Sequence, residues 1–234
     1  MFHGKVRAVA FDADDTLWVN EPFFDRAKAE IAEMMSVYIA PEKFTQILEK
    51  TQSRNVAVFG YGVKCFVISM IEAANAVAPD RIKSFEIERI IALGRSMLTA
   101  PVEPIAGVEE VLRTLGSDYE LLMITKGDVA EQQRKISLSG MSVYFDHIEI
   151  LAEKDKAAYE RILHKHSIRH DEFLMVGNSV KSDILPVVGI GGSAVHIPFH
   201  TTWVHEVACE DDLCGREYVE ISKAGELLPL LMSS

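Results

Sequence analysis

The sequence VRAVAFDADDTLWVN, residues 6–20, joins an apolar run to a cluster of acids. Residues 6–11 are mostly apolar, which predicts a short buried strand. Three carboxylates follow within four positions, Asp12, Asp14 and Asp15, and then the hydroxyl of Thr16. Because like charges at this spacing repel, the pattern indicates either an ordinary loop in water or a site where a positively charged group binds.

The composition is that of a globular protein, since 48% of the 234 residues are hydrophobic and 25% are charged. The formal net charge of -11 argues against nucleic acid or an anionic membrane as a partner, because both need a basic face. We find no apolar run that could span a bilayer and no signal-peptide pattern. The odd set of three cysteines, Cys65, Cys209 and Cys214, is typical of a reducing compartment, so we expect a cytoplasmic location.

Short segments rich in Val, Ile, Leu and Met alternate with segments of helical spacing. The predicted strands are residues 6–11, 121–125, 147–151, 173–176 and 193–197, and helices are predicted at 108–115, 129–139 and 156–166. Such alternation is typical of right-handed βαβ units. The predicted fold class is therefore α/β, with a Rossmann-like parallel sheet.

One interval, residues 18–104, contains no convincing strand and is helical throughout. Its four helical segments predict a small bundle, and TAPVEP, residues 99–104, is the expected return linker. We therefore predict a discontinuous core domain of residues 1–17 and 105–234, with a helical domain of residues 18–104 inserted in it.

Polar side chains follow four of the predicted strands. In chain order they are Asp12, Asp14, Thr16, Thr125, Lys126, Asp128, Glu153, Lys154, Lys156, Asn178, Ser179 and Asp183. Ligands of open parallel sheets bind beyond the carboxyl ends of the strands, so these side chains are expected at one rim. Acids, an amide and lysines together suit a hard divalent cation beside a phosphate.

Four of these segments resemble, in the same order, the motifs of the haloacid dehalogenase superfamily of aspartate-nucleophile enzymes. FDADDTL is similar to the first motif, Asp-x-Asp-x-Thr after a strand, and LLMITKGD to the second. AEKDKAAYERIL resembles the third and FLMVGNSVKSDI the fourth. The helical insert stands where the family carries an α-helical (C1-type) cap. Each motif alone is weak, but four in order, each after a predicted strand, are specific.

The resemblance implies a Mg²⁺-dependent phosphatase that hydrolyses a small phosphorylated metabolite through an aspartyl-phosphate. Asp12 would be the nucleophile, and Asp14 the general acid and base. Thr125 would bind the phosphoryl oxygens, and Lys154 would offset their charge. Further phosphate contacts are implied for Thr16, Lys126 and Gly127. The implied metal site contains Asp12, the backbone carbonyl of Asp14, Asn178 and Asp183. Of Asn178 and Asp183, one would be a direct ligand, and the other would act through water or anchor Lys154.

The acid at Asp14 favours ester hydrolysis, because the dehalogenases of the family lack an acid there and a halide leaves without a proton. Two alternatives stay open at the level of sequence. One is phosphoryl transfer to another hydroxyl, as in the mutases of the family. The other is a catalytically quiet protein that binds a phosphorylated ligand.

Several positions depart from the family pattern. Asp15 replaces the usual glycine, and we expect its side chain to face solvent. Asn178 replaces the usual aspartate, which should weaken Mg²⁺ binding because one ligand becomes neutral. Lys126 stands where asparagine is common. The active-site lysine is either Lys154 or Lys156, and the position of the following aromatic residue favours Lys154.

Overall fold

The computed structural model describes residues 6–200 and 218–232. In this part of the chain six parallel strands form one sheet in the order β3-β2-β1-β4-β5-β6. The strands are β1 (Ala8–Phe11), β2 (Glu120–Lys126), β3 (His147–Leu151), β4 (Phe173–Gly177), β5 (Ser193–His196) and β6 (Val219–Glu220). The predicted α/β class and parallel sheet are confirmed. The two-residue strand β6 was not predicted, because a segment so short carries no periodicity.

Nine α-helices lie in the described ranges. They are α1 (Glu21–Met34), α2 (Pro41–Phe59), α3 (Val63–Val77), α4 (Ser84–Thr99), α5 (Val108–Leu115), α6 (Val129–Ser139), α7 (Lys156–Lys165), α8 (Leu185–Val188) and α9 (Leu227–Met232). A π-helical turn, Val180–Ile184, precedes α8. None of the helices in the described ranges has the length and hydropathy needed to cross a membrane.

Side chains of the strands alternate between two apolar clusters, one on each face of the sheet. Val9 and Phe11 of β1 belong to the cluster that also contains residues of α5, α6 and α9. Ala8 and Ala10 belong to the cluster that contains residues of α7 and α8. All four residues of β1 are buried, which is why this strand appears in the sequence as a continuous apolar run.

The chain divides into two compact units, Met1–Val19 with Val102–Ser234, and Asn20–Pro101. The core unit therefore keeps a few residues that the sequence placed in the insert. Trp18 is fully buried in the apolar cluster of Val9 and Phe11. The backbone N–H of Val19 donates to the carbonyl of Glu103 at 2.9 Å, which pairs the outgoing and returning chain within the core.

The second unit contains α1 to α4 and has an apolar core of its own. Its fully buried side chains include Ile31, Phe44, Phe66 and Ile90, one from each of the four helices. Cys65 is a buried free thiol in α3. Cys209 and Cys214 lie outside the described residues.

The central position of β1 brings the loops of three strands together. Phe11 is in register with Met123 of β2 and with Val176 of β4. The N–H of Asp12 continues the ladder by donating to the carbonyl of Val176 at 2.9 Å. The segments that follow β1 and β4 therefore begin side by side, and β2 continues beyond Met123 to Lys126 at the same edge of the sheet.

Candidate active site

A buried lysine shared by two carboxylates lies at the carboxyl edge of the sheet. The Lys154 ammonium contacts Oδ1 of Asp12 and donates to Oδ1 of Asp183 at 2.7 Å. The side chains of Lys154 and Asp183 are each only 1% exposed. Ions so deeply buried are stable only when paired, so these three groups depend on one another.

Burial and charge act in opposite directions on this cluster. Burial raises the pKa of Asp12 to about 7, because loss of water outweighs the attraction of Lys154 and because Asp183 adds a second negative charge. Burial by itself would lower the pKa of Lys154, but the charges of Asp12 and Asp183 outweigh it and raise that pKa. Lys154 therefore remains an ammonium ion at neutral pH.

Both oxygens of Asp183 have a partner, one from the turn after β4 and one from Lys154. Its Oδ2 accepts a hydrogen bond from the backbone N–H of Ser179 at 3.0 Å, while Oδ1 faces Lys154. Gly177 makes room for this carboxylate, because a Cβ at that position would overlap it. Of the two functions that the resemblance leaves open for Asp183, the geometry corresponds to the anchor of Lys154.

Thr16 lies between the nucleophile candidate and the loop after β4. Its hydroxyl is 3.4 Å from Oδ2 of Asp12 and 3.3 Å from Oδ1 of Asn178. The carbonyl of Asn178 accepts a hydrogen bond from Nε2 of His196 at 3.0 Å, and Nδ1 of His196 is 2.9 Å from Glu220. The Asp12 carboxylate and the Asn178 amide oxygen thus both lie within 3.4 Å of the Thr16 hydroxyl, and His196 of β5 holds the backbone of Asn178.

Asp14 has a separate set of partners. Oδ1 accepts a hydrogen bond from the Trp18 indole at 2.7 Å, and Oδ2 accepts one from the Gln132 amide at 2.9 Å. Lys135 lies 2.7 Å from both oxygens. Burial alone would raise the pKa of Asp14, but Lys135 and these hydrogen bonds outweigh burial and lower that pKa.

Asp15 is buried, so the expectation that its side chain faces solvent is wrong. Only 7% of the residue is exposed. Its φ of 61° is left-handed, and its N–H donates to the carbonyl of Trp18 at 2.7 Å. A left-handed position in a tight turn suits glycine best, and aspartate is among the few other residues that adopt it readily.

Residues at the end of β2 line the same rim. Thr125 is buried near the carboxyl end of β2, in register with Ile150 of β3. Lys126 donates to the hydroxyl of Ser182 at 2.8 Å and is 3.4 Å from Glu153, so it links the loops after β3 and β4. Its side chain is 15% exposed.

The two candidate lysines after β3 lie in different places. Lys154 contacts Asp12, whereas Lys156 is exposed. The end of the Lys156 side chain lies against Gly189, where a Cβ would overlap it. The geometry therefore connects Lys154, and not Lys156, with the predicted nucleophile.

The oxygen donors at this rim are of the type that binds a hard cation, but few of them carry a formal negative charge. In the ranges 6–200 and 218–232, no three side chains of His, Cys, Asp and Glu are placed to hold a metal ion together. The Asp14 carboxylate forms an ion pair with Lys135, and the Asp183 carboxylate forms one with Lys154. Oδ2 of Asp12 and Oδ1 of Asn178 remain the predicted side-chain donors, so a cation there would meet a single formal negative charge.

Sequence patterns did not reveal Gln132, Lys135 or the indole of Trp18 as partners of Asp14. Gln132 and Lys135 are one helical turn apart on α6, and Asp128 caps the start of that helix by accepting from the Glu131 N–H at 3.0 Å. The available signal was a glutamine and a lysine at i, i+3 spacing on a helix that follows the second motif.

Comparisons with known proteins show the family to which the chain belongs. Residues 6–189 match the family model of haloacid dehalogenase-like hydrolases. The chain belongs to this family. The crystal structure of a haloacid dehalogenase-like family hydrolase from Xanthomonas campestris is 36% identical, with a TM-score of 0.84 over 95% of this chain and 89% of that one.

More distant structures share the fold. A HAD phosphatase from Thermococcus onnurineus is 18% identical, with a TM-score of 0.61 over 96% of this chain and 97% of that one. The L-2-haloacid dehalogenase from Xanthobacter autotrophicus, with chloropropionic acid covalently bound, is 13% identical, with a TM-score of 0.60 over 96% and 98%. No protein of curated function matches the chain by sequence. The protein is therefore a haloacid dehalogenase-like hydrolase, and its fold occurs with two different chemistries.

Proposed function

We propose that this hydrolase is a Mg²⁺-dependent phosphatase that acts on a small phosphorylated metabolite through an aspartyl-phosphate on Asp12. The observation that carries the proposal is the separation of two neighbouring carboxylates. Asp12 contacts Lys154, whereas Asp14 forms an ion pair with a different lysine, Lys135. A nucleophile and a separate acid–base group are what ester hydrolysis needs, and a departing halide needs only the first.

In the first step Asp12 attacks the phosphorus atom. A bond forms between a carboxylate oxygen and phosphorus, and the bond from phosphorus to the leaving oxygen breaks. Asp14 takes up a proton when the negatively charged ester binds beside it, and it gives this proton to the leaving oxygen, so the product leaves as an alcohol. Lys154 keeps its positive charge beside Asp12 and offsets the negative charge of the transferred group.

In the second step water attacks the phosphorus atom of the aspartyl-phosphate. Asp14 accepts the proton of this water, and the bond between phosphorus and Asp12 breaks. Phosphate leaves, the Asp12 carboxylate is restored, and Asp14 again carries the proton that it lost in the first step. Thr125, Lys126 and Gly127, at the end of β2 and the start of the loop after it, are assigned to the phosphoryl oxygens, with Thr16 in the loop after β1.

The proposed Mg²⁺ would be held by the Asp12 carboxylate, the carbonyl of Asp14 and the amide oxygen of Asn178. When bound, it supplies positive charge next to the transferred phosphoryl group. The amide in place of a carboxylate leaves one formal charge among these donors, so we expect weaker Mg²⁺ binding than in relatives with aspartate there. Asn178→Asp should lower the Mg²⁺ concentration needed for half-maximal activity.

Turnover assays test the proposal against its rivals. The protein is incubated with a panel of phosphate esters and Mg²⁺, with a chelator, and as Asp12→Asn. Asp118→Asn is the matched control, since Asp118 is exposed and belongs to none of the four motifs. We expect phosphate release that needs Mg²⁺, disappears in Asp12→Asn and persists in Asp118→Asn.

Other outcomes would replace the proposal. Halide release from 2-haloacids without phosphate release would favour the chemistry of the Xanthobacter structure. Transfer of phosphate to an added sugar hydroxyl would favour a mutase. Binding of phosphate esters without any turnover would favour a quiet ligand-binding protein.

A further inference from the structure

A serine in the π-helical turn after β4 has partners on its backbone and on its side chain. The N–H of Ser182 donates to the hydroxyl of Ser179 at 3.0 Å, and its carbonyl accepts from the Tyr159 hydroxyl at 3.1 Å. The Ser182 hydroxyl accepts from the Lys126 ammonium at 2.8 Å. Only 4% of Ser182 is exposed. Its hydroxyl is therefore a buried acceptor at a fixed position.

The turn that carries this serine has an unusual backbone. Val180–Ile184 is π-helical, a conformation that is rare in proteins and occurs mostly as single turns, frequently at functional sites. Asp183, which accepts from Lys154, directly follows Ser182 in this turn. The turn therefore contacts two lysines of the rim, Lys154 through Asp183 and Lys126 through Ser182.

Lys126 has a second partner, which is a carboxylate. Its ammonium lies 3.4 Å from Oε1 of Glu153, and the Glu153 side chain is 52% exposed. The same oxygen accepts from the backbone N–H of Lys154 at 3.1 Å. An exposed ion pair is weak and a lysine side chain is long and flexible, so this pair alone would not hold the ammonium in one place. The contact with the buried Ser182 hydroxyl adds that restraint.

A phosphate at this rim needs more positive charge than Lys154 provides. Lys154 contacts both Asp12 and Asp183, so one positive and two negative charges leave a net charge of -1 when both carboxylates are ionised. A phosphate ester adds further negative charge to this cluster. Solvent weakens the attraction between Lys126 and the exposed Glu153, so the Lys126 ammonium can offset the charge of the ester.

We propose that Ser182 is a positioning residue that holds the Lys126 ammonium for phosphate binding, an inference that rests on the proposed phosphatase function. Ser182 acts through Lys126 and does not touch the substrate. Without the serine hydroxyl, the ammonium turns towards Glu153, and this ion pair then competes with the phosphate for the same positive charge. Because the contact with the phosphoryl group exists before and during its transfer, its loss raises KM more than it lowers kcat.

Binding of inorganic phosphate tests the inference. Calorimetric titration of the full chain with phosphate in the presence of Mg²⁺ measures the Kd. We expect Lys126→Met to raise this Kd about 10-fold and Ser182→Ala to raise it about 5-fold, because a hydrogen bond to a charged group is lost or misplaced. Ser117→Ala, which removes an exposed hydroxyl, is the matched control and should leave the Kd unchanged. An unchanged Kd in Ser182→Ala would overturn the inference, whereas a wild-type protein that binds no phosphate would contradict the proposed function.

Two double variants separate positioning from a merely structural effect. Adding Ser182→Ala to Lys126→Met should cause no further rise in the Kd, because the serine acts through the lysine. Glu153→Gln removes the competing charge but keeps an oxygen that can accept from the N–H of Lys154. It should therefore restore phosphate affinity in Ser182→Ala by a larger factor than it changes the affinity of the wild type. An equal factor in both backgrounds would overturn the proposal.

Crystal structures of the variants test the position of the ammonium independently of phosphate binding. In Ser182→Ala we expect the Lys126 ammonium to leave its present position and move towards Glu153. In Ser117→Ala it should stay where it is. A Lys126 side chain that keeps its position in Ser182→Ala would overturn the proposal, whatever the enzyme hydrolyses. Thermal unfolding of each variant confirms that the compared proteins are folded.

Discussion

At the scale of single residues, two acids that stand two positions apart in sequence have different surroundings. Asp12 is next to the buried Lys154, which Asp183 also contacts, whereas Asp14 is held by Lys135. The repulsion expected among the acids of the first motif is thus reduced by two lysines from distant parts of the chain. Lys154 depends more strongly on its ion pairs than Lys135 does, because it is almost completely buried.

We predict that Lys154→Met abolishes turnover and lowers the free energy of unfolding by about 3–5 kcal/mol, because it leaves two buried carboxylates without their counter-ion. Urea unfolding monitored by circular dichroism measures the change. Lys156→Met is the control, since Lys156 is exposed, and it should change stability by less than about 0.5 kcal/mol. Equal effects of the two substitutions would show that the buried ion pairs do not stabilise the fold.

At the scale of elements, the turn after β4 depends on one glycine. Gly177 is the last residue of β4, and a Cβ there would overlap the carboxylate of Asp183. This carboxylate in turn holds Lys154, so a change at Gly177 is transmitted to Asp12 through two contacts.

We predict that Gly177→Ala destabilises the protein by about 1–3 kcal/mol through overpacking and lowers kcat, because Asp183 must move. Urea unfolding and steady-state kinetics measure the two effects. Gly225→Ala is the matched control, because a Cβ at Gly225 meets no atom within 4 Å. Unchanged stability and kcat in Gly177→Ala would show that the position of Asp183 does not depend on the glycine.

A carboxylate of β3 links the edge strand to the end of α7. Glu149 accepts from Lys165 and contacts His166, each at 2.7 Å. Burial alone would raise the pKa of Glu149, but these two partners outweigh it and lower that pKa below the ordinary value of 4.5. A lowered carboxyl pKa contributes stability that is present above the ordinary pKa and is lost as the pH falls through the folded-state pKa.

We therefore expect wild type to be more stable than Glu149→Gln at neutral pH, and the two unfolding free energies to converge as the pH falls below about 4.5. Urea titrations across the acid range test this expectation. Glu160→Gln, an exposed position on α7, should follow the wild-type curve at every pH. If the difference in unfolding free energy between wild type and Glu149→Gln grew towards acid pH, the lowered pKa of Glu149 would be contradicted.

The sequence predicts elements better than it predicts pairings between distant side chains. The predicted strands are confirmed, and a strand that is buried on both faces, such as β1, is visible as a continuous apolar run. The contact between Asp14 and Lys135 spans 121 positions, so local spacing shows only that Gln132 and Lys135 share a helix face and does not reveal their partner. Burial of Asp15 was missed for a related reason, because left-handed turn geometry is not visible in a run of acids.

At the scale of the whole molecule, two units have separate apolar cores. The insert is built around residues such as Phe66 of α3, and the core unit around residues such as Phe11 of β1. The four motifs lie in the core unit, whereas the four helices of the insert carry none of them. The motifs therefore give no information about the function of the insert.

We predict that Phe66→Ala lowers the stability of the insert by about 3–5 kcal/mol through the cavity that it leaves. Hydrogen exchange should show faster exchange in α2 and α3, with protection in β1 and β4 retained. Phe85→Ala is the matched control, since Phe85 is 58% exposed on α4. Equal loss of protection in β1 would show that the two cores do not unfold separately.

The most direct test of the account is to identify the covalent intermediate. Asp14→Asn is mixed with p-nitrophenyl phosphate and Mg²⁺, quenched in acid and digested for mass spectrometry. Because the first step needs little acid with this ester and the second step lacks its base, we expect a phosphoryl group to accumulate on Asp12. A phosphoryl group on another residue, or none while the ester is hydrolysed, would contradict the proposed mechanism.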